Sequence, residues 1–323
     1  MVKQYQIRLY QNEDFALWND FISKAKNATF LFHRNFMEYH KDRFDDYSLM
    51  VFDNKKLVAV LPANRVGDTV YSHQGLSYGT LVTNEDVRIK EYITIFKELM
   101  VFLNEQTILT LECKLLPKLY NTTIADEMDY LSFLMQANCF RTDVYLAIDM
   151  NQEYHPNRNR KRALKIASEL NIEIRQDQNY KGFWNEILTP NLKERFQVTP
   201  VHTLDEIQKL ADFFPNQIQL FNAYQEGDLK AGVVMFLTDT AAHFQYSSGG
   251  NDRNETAALD VLFDFIIQKF SSKRYVSFGS SSENNGLQLN EGLAYWKESF
   301  GAKATVQSFL RFTTSNYTKL ESI

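Results

Sequence analysis

The chain has 323 residues, of which 44% are hydrophobic and 23% are charged, which is typical of a globular protein with room for two ordinary domains. Its formal net charge of −5 does not favour general nucleic-acid binding. No apolar run approaches the roughly 20 residues of a membrane span, and the N-terminus lacks an apolar signal core, so we expect a cytoplasmic protein without a membrane span.

The first half of the chain alternates short strands with amphipathic helices. Runs rich in β-branched and aromatic residues predict strands over residues 7–10, 48–52, 56–62, 69–72, 108–113 and 142–148. Helices are predicted over residues 12–25, 34–41, 89–103 and 126–137. Asp53 and Asn54 predict a hairpin turn. Cys113 and Cys139 have no metal-ligand spacing and are predicted to be reduced, mostly buried thiols.

The second half repeats that order. Strands are predicted over residues 171–175, 219–224, 229–237, 243–246 and 275–278, with a helix over residues 181–188. Thr203 and Glu206 form a capping box that begins a helix ending at Phe214. A long helix follows the strand at 243–246, because its apolar residues recur along one helical face: Leu259, Leu262, Phe263, Ile266, Ile267 and Phe270.

The repeated order predicts two tandem α/β domains with mixed, mainly antiparallel sheets, spanning residues 1–150 and 151–323. No short-period repeat is present, which excludes a solenoid. Small polar side chains follow two strands of the second half, at Tyr246–Ser248 and Gly279–Ser281. Ligands of such sheets usually bind at the carboxyl ends of the strands, so we expect the functional site there.

The run from Gly292 to Gly301, which contains Tyr295, Trp296 and Lys297, resembles the aromatic-Lys-x-x-Phe-Gly ending of the Fem-type transferases. These are two-domain members of the GNAT superfamily of N-acyltransferases. The similarity covers most of the chain in layout and mainly residues 232–312 in detail. It implies two tandem GNAT-like domains and the transfer of an acyl or aminoacyl group onto an amine, including the modification of cell-envelope precursors.

Three residues are candidates for catalysis. In Fem-type proteins the matching lysine is implicated in transfer, and a fixed Lys297 ammonium would stabilise charge on the carbonyl oxygen. The alternative is a surface lysine that interacts favourably with a helix C-terminus. Tyr246 ends the aromatic strand. Glu283 follows the strand that ends near Phe278, and it would either accept a proton from an amine or cap the next turn.

The donor site is predicted in the turn after Tyr246. Gly249, Gly250 and Arg253 could hold a phosphate at a helix N-terminus, although Asp252 and Glu255 oppose this. A plain turn with a capped helix is the alternative. The resemblance implies acyl-CoA or aminoacyl-tRNA as the donor, with no metal. The usual phosphate-binding signature is missing from both halves. Fem-type proteins that act with tRNA often carry a coiled-coil arm in the second domain, and the roughly 40 residues before the second hairpin leave no room for one.

Basic and polar residues are candidates for substrate binding. Arg158, Arg162 and Lys165 share one helical face, and arginine binds phosphate bidentately. They predict a small-molecule or precursor acceptor with an anionic group, or a charged tRNA; a solvated helix is the alternative. His73, a candidate general base, and Tyr78 lie in one loop, and Ser247 and Ser248 follow Tyr246. The second functional hypothesis is a non-catalytic double-GNAT protein that binds a small molecule or a partner.

Overall fold

The computed structural model describes residues 5–251 and 253–321, without the side chains of Phe196, Arg253 and Asn254. The first half contains β1 Tyr5–Leu9, α1 Phe15–Lys24, α2 Arg34–Met37, β2 Leu49–Asp53, β3 Lys56–Leu61, β4 Asn64–Val66, β5 Thr69–Tyr71, β6 Val82–Thr83, α3 Ile89–Glu105, β7 Thr110–Lys114, α4 Glu127–Leu134 and β8 Asn138–Asp149. The second half contains α5 Arg158–Glu169, β9 Glu173–Asp177, α6 Tyr180–Gly182, α7 Thr189–Phe196, α8 Leu204–Phe213, β10 Ile218–Gln225, β11 Asp228–Leu237, β12 Ala241–Gly249, α9 Arg253–Thr256, α10 Ala258–Lys269, β13 Tyr275–Ser280, β14 Ser282–Glu283, β15 Gln288–Leu289, α11 Glu291–Glu298 and β16 Lys303–Thr313.

The chain forms two compact units. The first consists of Met1–Asp143, Asn285–Leu287 and Val306–Ile323, and the second of Val144–Asn284 and Gln288–Thr305. This division differs from the predicted one, which placed all of residues 151–323 in one domain. The reason is a long-range strand pairing: Phe309–Thr313 of β16 runs antiparallel to Thr110–Lys114 of β7. No local sequence pattern encodes such a pairing.

The first unit contains two groups of strands. One is an antiparallel sheet in the order β1-β2-β3-β6. In the other, β4 pairs antiparallel with β5, β5 parallel with β7, and β7 antiparallel with β16. The apolar face of α3 is buried in the core through Ile93, Phe96, Met100 and Leu103, whose spacing predicted one helix face. Ile89, predicted on the same face, is 48% exposed.

The second unit is built on the strand order β8-β13-β12-β11-β10-β9. Its strands pair antiparallel, except for the parallel pair β12 and β13. The helix that joins this parallel pair, α10, buries Leu262, Phe263, Ile266 and Ile267 in the core. The predicted strand, helix and strand of this region are therefore confirmed.

Two helices of the second unit differ from the prediction. The helix expected over residues 181–188 extends from Tyr180 to Phe196, with wider π-type turns at Phe183–Leu188. Ala257 adopts a positive φ of 52°, which separates the four-residue α9 from α10. No helix within residues 5–251 and 253–321 is both long and apolar enough to cross a membrane.

Candidate active site

The parallel strands of the second unit part at their carboxyl ends. β12 and β13 pair only through Ala241, Ala242 and His243, which face Tyr275, Val276 and Ser277. The register of β13 against β8 is irregular between Ser277 and Ser280, and Gly279 has a φ of +70°, which a residue with a side chain rarely adopts. The backbone beyond Ser277 is thereby turned out of the regular ladder, and its carbonyls can bind other groups.

Lys297 binds two of these carbonyls. Its side chain lies on α11, a helix capped by the Asn290 side chain, which accepts a hydrogen bond from the Leu293 backbone N–H at 2.9 Å. Lys297 is only 4% exposed, and Nζ donates to the carbonyl oxygens of Gly279 at 3.2 Å and Ser280 at 2.6 Å. An ammonium has three donors, so one remains for a further group. Burial lowers the pKa of Lys297 to about 7.

Aromatic side chains fix the position of Lys297. The Trp296 ring centroid lies 4.8 Å from that of Phe263 and 5.2 Å from that of Phe300, and Phe300 is fully buried. Trp296 and Phe300, which lie four residues apart, therefore anchor the end of α11 against the core. Because both neighbours are held in the core, Lys297 is drawn inward as well, and it does not lie at the surface.

The depressed pKa of Lys297 makes stability depend on pH. An unfolded lysine titrates near 10.5 and the folded one near 7, so the native state binds fewer protons than the unfolded state between these values. The free energy of unfolding contributed by this group should therefore rise with pH from about 7 to about 10.5, by roughly 1.4 kcal/mol per unit at most. We expect Lys297→Met to be more stable than the wild type at pH 7 and to lose this advantage by pH 10.5. Denaturant titrations across this range measure it, and a constant difference would contradict it.

A cavity of about 400 Å³ lies in the same unit. Its apolar walls are formed by Leu188, Leu192, Leu259, Leu293 and Trp296. Its polar lining comes from several elements and consists of Arg160, Asn191, Arg195, Ser247, Ser248, Gly249 and Asp260. α11, which carries Lys297, contributes Leu293 and Trp296 to this lining, which does not include Lys297 itself.

An ion pair occupies the wall of this cavity beside the start of α10. Asp260 Oδ1 accepts from an Arg160 guanidinium N–H and from Trp296 Nε1, the latter at 3.2 Å. Both charged side chains are less than one-fifth exposed, and Arg160 Nε has no hydrogen-bond partner. The pair presents little net charge to the cavity, and the unpartnered Nε is itself buried.

The predicted residues after Tyr246 are only partly available to a ligand. Ser247, Ser248 and Gly249 line the cavity, and Ser248 Oγ accepts from Asn191 Nδ2 at 2.8 Å. Gly250, however, donates its backbone N–H to the Lys230 carbonyl at 2.7 Å, which corrects its prediction as a phosphate ligand. The Arg253 side chain lies outside the part of the chain that the structure describes.

Two of the predicted catalytic residues are engaged in other bonds. Tyr246 OH accepts from the His202 backbone N–H at 3.2 Å and lies within hydrogen-bond distance, 2.6 Å, of His202 Nδ1, so His202 holds its hydroxyl. Burial raises the pKa of Tyr246 to about 12. Glu283 is exposed and accepts from the side chain of Asn290 at 2.6 Å, the residue that caps α11, so a catalytic role for Glu283 stays a prediction.

The residues predicted in the first unit are buried. His73 is 3% exposed, stacks on His40 at 5.2 Å, and desolvation lowers its pKa to about 3. Tyr78 is 5% exposed and bonds the Thr29 hydroxyl at 3.0 Å. Their prediction as substrate ligands is corrected to packing within the core. Cys113 is buried and Cys139 exposed, and both are free thiols.

The basic helix α5 presents its charges in two directions. Arg158, Arg162 and Lys165 are exposed, so their contact with an anion stays a prediction. Arg160, which lies on the opposite side of the same helix, reaches the cavity and Asp260. The sequence did not single out Arg160, because the cations of this helix were grouped only by their spacing along one helical face. Within the described residues, no cluster of three or more His, Cys, Asp or Glu side chains could hold a metal ion.

Comparison with solved structures shows the fold. FemX superposes with a TM-score of 0.67 at 8% identity, over 98% of this chain and 100% of FemX. L-PGS from Bacillus licheniformis gives 0.52 at 11% identity, over 95% and 93% of the two chains. A tandem GNAT protein from the clavulanic acid biosynthesis pathway gives 0.51 at 9% identity, over 96% and 99%.

No sequence model of a protein family matches the chain, and no curated protein matches it in sequence. The structural similarities are therefore evidence for the fold and not for an activity. They confirm the predicted architecture: the chain has a Fem-like, GNAT-type fold with two GNAT-like domains.

Proposed function

We propose that this protein is an N-acyltransferase that moves an acyl or aminoacyl group onto an amine, with its reaction centre in the second unit. The observation that carries the proposal is the buried amine of Lys297, held by two backbone carbonyls where β12 and β13 part. Proteins with this fold include FemX and tandem GNAT proteins, which supports transferase chemistry. A screen of acyl-CoAs, aminoacyl-tRNAs and UDP-linked precursors, followed by mass spectrometry, tests the proposal; no mass gain on any acceptor would contradict it.

The proposed chemistry follows from the donors on Lys297. The amine nitrogen of the acceptor attacks the carbonyl carbon, and the carbonyl oxygen becomes negative in the tetrahedral intermediate. The third N–H of the Lys297 ammonium can donate to that oxygen in surroundings from which water is excluded. Collapse of the intermediate breaks the bond from the carbonyl carbon to the sulfur or ribose oxygen of the donor. The leaving group takes up the proton that the acceptor nitrogen loses and departs as a thiol or a hydroxyl. Lys297 forms no covalent bond in this scheme.

The cavity supports an acyl or aminoacyl group as the transferred part. Its apolar walls come from Leu188, Leu192, Leu259 and Leu293, and its charged lining includes Arg160, which is paired with Asp260. A volume of about 400 Å³ lies within the range typical of small-molecule sites. A neutral carbonyl or a single carboxylate suits this mixture better than a cluster of phosphates.

We expect acetyl-CoA to bind weakly or not at all. The Gly250 amide donates to the Lys230 carbonyl, and Arg160, a cation that a phosphate would need, is already paired with Asp260 of α10. Isothermal titration calorimetry with acetyl-CoA tests this expectation. A low-micromolar dissociation constant, about −8 kcal/mol, would show that the phosphates bind without the predicted cradle.

We expect Arg158, Arg162 and Lys165 to contact an anionic group of the acceptor, such as the diphosphate of a cell-envelope precursor. Replacing all three by Ala should weaken binding of a UDP-linked precursor or of a charged tRNA and reduce its salt dependence. Fluorescence anisotropy measures both effects. Ala at Arg88 and Lys90, which are exposed cations of the first unit, is the control. Equal effects of the two variants would remove α5 from the acceptor site.

A non-catalytic binding protein is the second candidate. It is favoured by the internal use of the Gly250 amide and by the Arg160–Asp260 ion pair beside α10, because both occupy groups that a donor phosphate would need. The two functions differ in one measurement. A ligand that raises the melting temperature but is recovered unmodified, with every donor tested, indicates the binding protein.

A further inference from the structure

His243 stands at the point where the two parallel strands separate. It is the last residue of β12 in register with β13, opposite Ser277, and its Nδ1 lies 3.2 Å from the Ser277 hydroxyl. A Cβ added to Gly279 would come within 3.1 Å of His243 Cε1. The imidazole therefore rests on the backbone of Gly279, the residue whose carbonyl accepts from Lys297.

Gly279 connects the two side chains. Its φ of +70° turns its carbonyl toward Lys297, and the space beside its Cα, where other residues carry Cβ, is filled by the His243 ring. A ring at this place packs against the residue whose carbonyl binds the Lys297 amine. It also limits how far the Gly279 backbone can move back toward a regular ladder.

We propose that His243 is a positioning residue for Lys297: its ring, packed where β12 and β13 part, keeps water from the Lys297 amine and holds the Gly279 carbonyl in place. The proposal deepens the role given to Lys297 under the proposed function. It assigns no contact between His243 and the substrate.

The charged groups around His243 and Lys297 indicate that exclusion of water, rather than repulsion by a nearby cation, lowers the pKa of Lys297. Desolvation first, and the charge of Lys297 second, lower the pKa of His243 to about 4, so the ring is uncharged at neutral pH. Burial accounts for the lowered pKa of Lys297. Asp260 of α10 is paired with Arg160, and Glu291 and Glu298 of α11 are exposed; β13 contributes only hydroxyls, from Ser277 and Ser280.

The test is the titration midpoint of Lys297, read from the ¹³Cε shift in protein labelled at lysine and assigned by its loss in Lys297→Met. In His243→Ala and His243→Asn, water can enter, and we expect the midpoint to rise by about one pH unit or more, a tenfold change in proton affinity. His243→Phe fills the space without the bond to Ser277, and we expect its midpoint to match the wild type.

Lys114 is an internal control in every spectrum. It is a partly buried lysine of the first unit whose pKa desolvation lowers to about 8, and its midpoint should stay constant if each variant is folded. An unchanged Lys297 midpoint in His243→Asn, or a rise of the same size in His243→Phe, would overturn the proposal. If His243→Ala fails to fold, the Asn and Phe variants decide. No substrate is needed, so this result is independent of whether acyl transfer is found.

Discussion

We expect Lys297→Met to lower turnover by 10²–10³-fold, roughly 2.7–4 kcal/mol of transition-state stabilisation, which is the cost of removing one oxyanion donor. Met keeps the length and apolar character of the side chain and removes the ammonium. The bonds to Gly279 and Ser280 are lost with it, but the aromatic neighbours Trp296 and Phe300 remain. The measurement is kcat with the donor and acceptor found by the screen, compared at one pH with the wild type.

Lys114→Met is the matched control. Lys114 also donates to two backbone carbonyls, those of Gln74 at 3.0 Å and Leu76 at 2.6 Å, but it lies in the first unit. We expect its turnover to stay near that of the wild type. Equal losses in the two variants, or full activity in Lys297→Met, would contradict a catalytic role for Lys297.

The pH profile separates two roles for Lys297. If the ammonium stabilises the oxyanion, activity should fall as pH rises through about 7, where Lys297 loses its proton. If the neutral amine accepts the proton of the acceptor, activity should fall in the opposite direction, below about 7. For either assignment to stand, the change of activity near pH 7 must be absent from the residual activity of Lys297→Met.

Local sequence patterns were sufficient where the structure is local. The periodicity of Leu262, Phe263, Ile266 and Ile267 predicted the buried face of α10, because residues three and four apart share a helix face. Trp296 and Phe300 are likewise four residues apart and pack together, with ring centroids 5.2 Å apart. The fold was predicted from the repeated order of elements and from the resemblance of the run Gly292–Gly301 to Fem-type transferases.

Long-range contacts decided what the patterns could not. Arg160 reaches Asp260, one hundred positions further along the chain, and no spacing within α5 distinguishes it from Arg158 or Arg162. His73 looked like a free loop residue, but Phe44 and His40 cover its ring. The return of β16 to the first unit depends on a pairing with β7. Each of these is a tertiary contact between segments that are distant in sequence.

We expect Phe263→Ala to lower the free energy of unfolding of the second unit by about 3–5 kcal/mol, the usual cost of removing a buried Phe side chain. Phe263 is 1% exposed. Its ring stacks on Phe244 at 4.0 Å and lies 4.8 Å from Trp296, 5.7 Å from Phe278 and 5.8 Å from Phe300. These rings come from α10, β12, β13 and the end of α11, so the cavity left behind cannot be filled by moving one side chain. Urea denaturation measures the loss.

Phe133→Ala provides the surface comparison, because Phe133 is 77% exposed on α4 and its loss should change stability by no more than about 0.5 kcal/mol. Phe263→Ala should also reduce turnover at temperatures where the protein stays folded, since Trp296 packs on Phe263 and Lys297 is the next residue along α11. Restoring bulk with Phe263→Leu should recover part of both losses. A free energy of unfolding of Phe263→Ala within about 1 kcal/mol of the wild-type value would mean that the aromatic cluster closes over the cavity. Packing at Phe263 would then not hold Lys297 in place.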